Sequence, residues 1–317
     1  MAEIERINDG LRVTLGTWHT IGRSRSCDLC LSEREISKQH ALIAWDGTHW
    51  MLRDLHSKNG TWFNNSALLP GRDVPLNIGA TFAFGAASRL WRIVSVDAPV
   101  ARAVSLRDGR EVRAVRDLLA LPGPDAPEVT VFREAPRGWL LEDSHGKRTA
   151  IEDKESILVG DESWRIHLPD PIDETWQGSD NPTPESITLS FEGSMNLEHL
   201  RVSYIHNGQV TPLRTRVHHQ VLLILANARL RDQLQHNLPE EEHGWMYRDQ
   251  LANSLKIYDN RLYVYVYRLR EQFGQAGVLD AAGIIERRSD TQQVRIGVSR
   301  LQIVDTLRLQ TGPPPHR

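Results

Sequence analysis

Cysteine is nearly missing from this chain: Cys27 and Cys30 are the only two in 317 residues. One pair three positions apart cannot staple a secreted scaffold, so a disulfide framework is excluded and a reducing, cytoplasmic setting is expected. No second Cys pair or His pair is spaced to complete a metal site, so no metal is expected and the two thiols read as buried groups at a strand edge. Long apolar runs are missing as well. Nothing approaches the roughly 18 consecutive apolar residues that a membrane helix needs. The start, Met1-Ala2-Glu3-Ile4-Glu5-Arg6, has no apolar core, so a secretory leader is not expected. There is no Walker loop, dinucleotide fingerprint, nucleophile elbow or deaminase motif, and neither catalysis nor a cofactor is expected. A dominant charge sign is also lacking, with 38 Lys/Arg against 41 Asp/Glu. The balance is uneven, however. From Ser186 onward there are 16 basic and 13 acidic residues, which leaves that part at +3 and the rest at −6. Such a bias points weakly towards nucleic acid as a partner of the C-terminal part.

What is present reads as a folded, multidomain protein. Hydrophobic residues make up 40% and charged residues 25%, ordinary values for globular chains, and the length implies two or three cores. Residues 1–97 alternate short apolar stretches with turn signals such as Asp46-Gly47, Asn59-Gly60 and Asn64-Asn65, a pattern that predicts a β-sandwich. An internal repeat follows. Trp50-x-Leu52-x-Asp54-x-His56-x-Lys58 recurs as Trp139-x-Leu141-x-Asp143-x-His145-x-Lys147, and each copy reaches a threonine soon afterwards, Thr61 and Thr149. Leu90-Trp91-Arg92-Ile93 is echoed by Ser163-Trp164-Arg165-Ile166. Five identities at period two suit a strand with Trp and Leu on one face, so residues 98–168 are expected to form a second copy of the same sandwich. Residues 169–185 combine prolines with acids and read as an exposed linker. Beyond it, strands near 187–191 and 202–205 precede helical patterns near 217–230, 245–255 and 260–273 and a closing hairpin near 284–297. That order predicts an α+β winged helix-turn-helix domain over 186–310.

Three motifs in the first block carry a functional reading: Gly22-Arg23, Ser37-x-x-His40, and Ser57-Lys58-Asn59-Gly60-Thr61. In order, spacing and context they resemble the forkhead-associated (FHA) family over residues 12–95. The resemblance implies a phosphothreonine-binding site. A phosphothreonine carries nearly two negative charges and several acceptor oxygens. Arg23 offers a planar donor fork, Ser37 a hydroxyl, Lys38 a positive charge where the family often has arginine, and loop N–H groups complete a cradle. Asn59, with Gly60 and Thr61, is expected to hold an extended peptide across the loop tips. His40 is expected to buttress the serine loop, and Gly22 and Gly60 to permit positive φ in tight turns. The implied partner is a phosphothreonine protein or peptide from a Ser/Thr kinase pathway. The second copy keeps the strand framework, but Glu111–Glu134 contains no Gly-Arg and no Ser-x-x-His, and Lys147-Arg148-Thr149 lacks the Asn-Gly, so a degenerate FHA-like sandwich without a phosphate site is expected.

Residues 187–298 resemble the DNA-binding domain of two-component response regulators, most closely in the run Asn260-Arg261-Leu262-Tyr263-Val264-Tyr265-Val266-Tyr267-Arg268-Leu269-Arg270. Leu262, Val266, Leu269 and Phe273 recur at helical spacing and are expected to face the core. The opposite face would then carry Arg261, Val264, Tyr267, Arg268 and Glu271. With Arg287, Arg288 and Arg295 on the wing, Arg261, Tyr267 and Arg268 form the predicted contacts to double-stranded DNA. The expected function is a signalling regulator that reads phosphothreonine and binds DNA to regulate transcription. The alternative is a non-enzymatic scaffold whose winged helix docks protein through Tyr263 and Tyr267. Thr175 and Thr183 in the linker are candidate phosphorylation sites that the first domain could capture.

Overall fold

The computed structural model describes residues 2–86, 89–134, 137–169, 181–193, 200–234 and 238–304. The chain divides into two compact units, Met1–Ala101 with His167–Gln177, and Arg102–Ile166 with Gly178–Arg317. Thr175 lies outside the described residues.

The first unit is built from short strands. They run β1 (Glu3–Arg6), β2 (Arg12–Thr14), β3 (Trp18–Gly22), β4 (Leu29–Cys30), β5 (Ala41–Trp45) and β6 (Trp50–Asp54). After these come β7 (Thr61–Phe63), β8 (Ser66–Ala67), β9 (Asp73–Pro75), β10 (Thr81–Phe84) and β11 (Trp91–Ser95). They form two sheets, ordered β2-β1-β11-β10-β7-β8 and β4-β3-β5-β6-β9. Ile4, Phe82, Trp91 and Ile93 of one sheet share a core with Ile21, Ile43, Trp50 and Leu52 of the other, as period-two alternation requires of a sandwich. Trp50 is almost wholly buried and its indole N–H donates to the Asp97 carbonyl at 3.1 Å. Register decides where the loops emerge. Ile21 pairs with Ala41, and Ala41 pairs with Asp54. The end of β3, the start of β5 and the end of β6 therefore lie side by side, and the segments 23–28, 31–40 and 55–60 all leave from that one end.

The second unit begins with eight strands: β12 (Arg102–Ser105), β13 (Glu111–Arg113), β14 (Leu118–Leu121) and β15 (Val129–Glu134), then β16 (Gly138–Asp143), β17 (Arg148–Ala150), β18 (Ser156–Val159) and β19 (Glu162–His167). Their sheets run β13-β12-β19-β18 and β14-β15-β16-β17. The first order matches β2-β1-β11-β10 and the second matches β3-β5-β6-β9. Among the described residues β4, β7 and β8 have no counterpart. Trp164 is fully buried like Trp91, and each carries an arginine over its ring, Arg110 at 4.8 Å and Arg6 at 5.5 Å. The threonine echo fails in position: Thr61 is buried on β7, in the sheet opposite Trp50, whereas Thr149 is exposed on β17 beside Leu141.

The remainder of this unit runs β20 (Thr188–Glu192), β21 (Arg201–His206), β22 (Gln209–Pro212), α1 (His219–Gln233), β23 (Met246–Tyr247), α2 (Arg248–Leu255), α3 (Asp259–Gln275), β24 (Ile285–Arg288), β25 (Gln293–Ile296) and β26 (Arg300–Ile303). Asn207 and Gly208, both at positive φ, turn β21 into β22. The sheet order is β22-β21-β20-β26, with β26 parallel to β20, an element that sequence periodicity left unseen. Leu262, Val266, Leu269 and Phe273 point into the shared core with α1 and the sheet, as the helical projection required. Thr183 departs from expectation. Its N–H donates to the Ser186 hydroxyl oxygen at 2.8 Å in a turn whose Pro184 is buried, so it lies in folded structure and not in an extended linker.

These elements share an interior with the β12–β19 strands. Tyr267 and Ala282 cluster with Leu118, Ala120, Phe132 and Leu140. At the centre lies Glu142, with no exposed surface. Its carboxylate accepts from Arg270 at 2.8 Å, Arg287 at 3.0 Å and Arg148 at 2.9 Å. Glu142 and Arg148 are cross-strand neighbours on β16 and β17. Arg53 and Asp73 hold the same register on β6 and β9 with the signs reversed. Burial pushes the Glu142 carboxyl upward, but the positive charges of Arg270 and Arg287 hold it at about 2. The folded value is depressed, so this group's contribution is complete above the ordinary carboxylate range and is lost as pH falls through the folded value. Glu142→Gln leaves buried guanidinium charge uncompensated and should cost about 3–5 kcal/mol. Urea unfolding at neutral pH measures this. The gap between wild type and variant should close as the pH is lowered from about 5 towards 2.

Candidate functional site

The three loops at the end of the first unit are joined by hydrogen bonds that involve the motif residues. The Arg23 N–H donates to the Ser37 carbonyl at 2.8 Å and the Ser24 N–H to the Lys38 carbonyl at 3.0 Å, which zips the arginine loop to the serine loop. Lys58 N–H donates to the Ser37 hydroxyl oxygen at 3.0 Å, and Asn59 Nδ2 donates to the Glu35 carbonyl at 2.7 Å. The serine loop thus lies between the other two. Arg23 is exposed, with its Nε turned to the Ile36 carbonyl at 3.3 Å. Lys38, Lys58 and Asn59 are exposed and Ser37 is half-buried. Because Ser37 Oγ accepts from Lys58, its own proton is left to donate outward. The cluster presents an arginine fork, two ammonium groups, a hydroxyl and an amide, a donor set matched to a phosphate ester.

Beneath the tips sits a buried network. His40 has no exposed surface; its Nδ1 accepts from Ser37 N–H at 3.1 Å and its Nε2 donates to the Gly60 carbonyl at 3.0 Å. Burial lowers the His40 pKa, so the ring is a neutral donor–acceptor bridge. Asp54, equally buried, accepts from Ser57 N–H at 2.9 Å, Ser57 Oγ at 2.7 Å and Thr61 Oγ1 at 2.6 Å. Burial alone would raise the Asp54 pKa, but the Thr61 and Ser57 hydrogen bonds bring it below the usual range.

Three expectations are corrected by the structure. Thr61 is not at the surface: its hydroxyl is committed to Asp54, and its role is to fix the loop from below. Gly22 is not needed for positive φ. A Cβ there would lie 2.3 Å from the Lys38 carbonyl oxygen and 3.0 Å from Cys27 Sγ, so the close approach of the two loops demands glycine. Gly60 does take positive φ, at 76°. Of the two thiols Cys27 is buried, donating to Lys38 O, while Cys30 is exposed and not buried as expected.

The candidate DNA residues of the second unit are scattered by the fold. Tyr267 is 3% exposed, packed on the β14–β16 strands, because that apolar surface covers its face of α3. Arg287 has only 4% of its side chain exposed and serves Glu142 and the carbonyls of Asp143 and Ser144. Neither reaches solvent, which corrects their placement on an open surface. Arg288 pairs with Glu242 at 2.8 Å and Arg295 with Glu286 at 2.6 Å, and the two guanidinium groups lie over the Trp245 ring at 4.1 and 4.6 Å. Arg261 and Arg268 remain exposed. Tyr263 is buried too, its hydroxyl reaching the Glu142 carbonyl at 3.2 Å, and burial pushes its pKa up to about 12. No motif or period in the sequence marks Glu142. Its one signal was an acid at the repeat position where the first copy has Arg53.

Among the described residues no helix is long and apolar enough to cross a membrane, and no three His, Cys, Asp or Glu side chains gather as a metal site. The family model of the FHA domain matches residues 19–85. FhaB of Mycolicibacterium smegmatis is 35% identical over 77 residues, 24% of this chain and 48% of the relative. An FHA domain-containing protein of Arabidopsis thaliana is 33% identical over 81 residues, 25% of this chain and 21% of that protein. The chain thus spans less than half the length of these curated relatives. Among solved structures, the FHA domain of an Arabidopsis thaliana hypothetical protein is similar at 27% identity and a TM-score of 0.28, covering 31% of this chain and 87% of that one. Mycobacterium tuberculosis EmbR in complex with a low-affinity phosphopeptide is similar at 24% identity and a TM-score of 0.28, over 31% of this chain and 25% of that one. With the matched residues spanning all three loops and the network beneath them, the N-terminal part of this chain is an FHA domain.

Proposed function

We propose that this chain is a signalling regulator that reads phosphothreonine peptides through Arg23, Ser37, Lys38, Lys58 and Asn59 and transmits that state through its C-terminal unit. The observation that carries the reading is the joining of three loops into one exposed, donor-rich surface over the buried His40 and Asp54 network. Arg23 supplies the fork for the phosphate oxygens, Ser37 and loop N–H groups add donors, and Asn59 keeps its amide oxygen for a peptide N–H. The ligand is a phosphothreonine segment of a kinase substrate, recognised in an extended conformation.

For the output, the winged-helix reading gives a transcriptional regulator whose α3 contacts DNA through Arg261 and Arg268. The alternative is a non-enzymatic scaffold whose C-terminal unit docks protein. Tyr263 and Tyr267, the anchors expected for that docking, are buried on the β12–β19 strands of the same unit. A protein partner on α3 would therefore use the exposed strip that carries Arg261 and Arg268.

Arg23→Ala should weaken phosphothreonine-peptide binding by about tenfold or more, the worth of charge-assisted hydrogen bonds, without moving the thermal midpoint. Fluorescence anisotropy with phosphorylated and unphosphorylated peptides checks it, and phosphate-dependent binding retained in the variant overturns the site. His40→Ala should lower both affinity and stability, since it removes the bridge between two loops. The folded His40 pKa lies below its ordinary value, so acidification through the ordinary histidine range, about 6.5, should destabilise the first unit. Thermal melts from pH 8 to 5 should show this loss, and His40→Ala should abolish it. Arg261→Ala and Arg268→Ala should each reduce affinity for a DNA duplex and flatten its salt dependence. An unchanged affinity in both, or no duplex binding, would leave the docking reading.

A further inference from the structure

A cleft of about 940 Å³ lies in the second unit between α3 and the loop 212–218, with Pro124 and Asp125 at its border. Four guanidinium groups line it: Arg214 and Arg216 from the loop, Arg261 and Arg268 from α3. Two carboxylates oppose them. Asp125, 97% exposed, reaches Arg268 at 3.4 Å, a solvent-facing pair that contributes little. Glu271 is half-buried beside the Tyr267 hydroxyl, and burial raises its pKa, which weakens its hold on charge. Arg214 and Arg216 make no ion pair among the described residues. The cleft therefore gathers more positive charge than it neutralises.

Its geometry is also fixed in advance. Gln272, on α3, donates from Nε2 to the Arg214 carbonyl at 2.7 Å, and its Oε1 accepts from His218 at 3.0 Å and His219 at 2.9 Å. One side chain thus clamps the arginine loop and the start of α1 onto α3. Burial first, and then the neighbouring positive groups, lower the His218 pKa to about 4, so at neutral pH it stays an uncharged wall of the cleft. The Tyr265 ring lies 6.2 Å from that of His218 and adds a flat apolar patch, with Arg261 stacked over it. Convergent arginines beside an aromatic face, in a volume within the range of roughly 300–1,000 Å³ usual for small-ligand sites, suit a compact anion with several phosphate oxygens.

We propose that this cleft binds a phosphate-bearing small molecule of nucleotide size, held through its phosphate oxygens by Arg214, Arg216 and Arg268. This site is separate from the phosphothreonine loops and does not rest on them. The same phosphate chemistry could come from a nucleic-acid backbone. The small ligand is favoured because Arg261 and Arg268, although exposed, line one bounded cleft together with Arg214 and Arg216 of the loop and do not stand alone on the helix. Isothermal titration of the full chain with pyrophosphate, with ATP and with a mixed-sequence DNA duplex tests it. Pyrophosphate and ATP should bind saturably at one site, and Arg216→Ala and Arg268→Ala should each weaken them about tenfold. Arg23→Ala, in the other unit, should leave that binding unchanged. Circular dichroism of each variant checks the fold, and the surface position of both arginines predicts no change. The absence of saturable binding at millimolar pyrophosphate and ATP overturns the proposal, as does undiminished binding in the Arg216→Ala/Arg268→Ala double variant. Loss of binding in Arg23→Ala would assign the anion to the phosphothreonine loops, and binding of the duplex alone would assign the cleft to DNA; either result overturns it.

Discussion

One buried carboxylate organises the second unit. Glu142 has no contact with solvent, so its charge must be met inside the protein, and three arginines from β17, α3 and β24 converge to meet it. A lone ion in such a place would cost several kcal/mol, and the arrangement holds only while every partner is present. That requirement binds the β12–β19 strands to the helices more specifically than apolar contact would. Tyr263 and Tyr267 then follow: once the carboxylate and guanidinium groups have met, the helix face that bears the tyrosines is covered. The surface left to α3 for outside partners is the strip that carries Arg261 and Arg268.

In the first unit the governing constraint is register. Because Ile21, Ala41 and Asp54 lie abreast, three loops far apart in sequence emerge together. Beneath them His40 and Asp54 turn proximity into rigidity by bonding Ser37, Gly60, Ser57 and Thr61 from below. The exposed donors are therefore positioned by groups that a ligand would never touch. The second strand block shows the converse. It keeps the strand order and the buried tryptophans, but among the described residues it has no counterpart of β4, β7 or β8, the strands that follow the arginine and asparagine loops. A framework with the supporting strands removed has nothing on which to hold such loops.

The cysteine pair and the glycines illustrate how local signals divide. Positive φ at Gly60 is written into the Asn-Gly turn and is legible from the residues alone. The need for glycine at position 22 is a contact with Lys38, sixteen positions away, and no local pattern announces it. Likewise, Cys27 and Cys30 differ in exposure because Cys27, within the arginine loop, turns its thiol onto the Lys38 carbonyl of the serine loop, whereas Cys30 sits on the two-residue edge strand β4.

Spacing along the chain was enough to mark the sandwich, its internal echo, the helical face of Leu262, Val266, Leu269 and Phe273, and the motifs of Arg23, Ser37, His40 and Asn59 whose loops the fold brings together. Each of these is carried by spacing: period two for strands, near 3.6 for helices, and turn residues at fixed offsets. Packing between elements buries Thr61, makes Tyr267 and Arg287 interior groups, turns Glu142 into a hub, and sets β26 beside β20 at the sheet edge. Those outcomes depend on which surfaces meet after the elements form. A polar residue carries the same letter whether its charge faces water or a buried partner, and only the assembled fold supplies that partner.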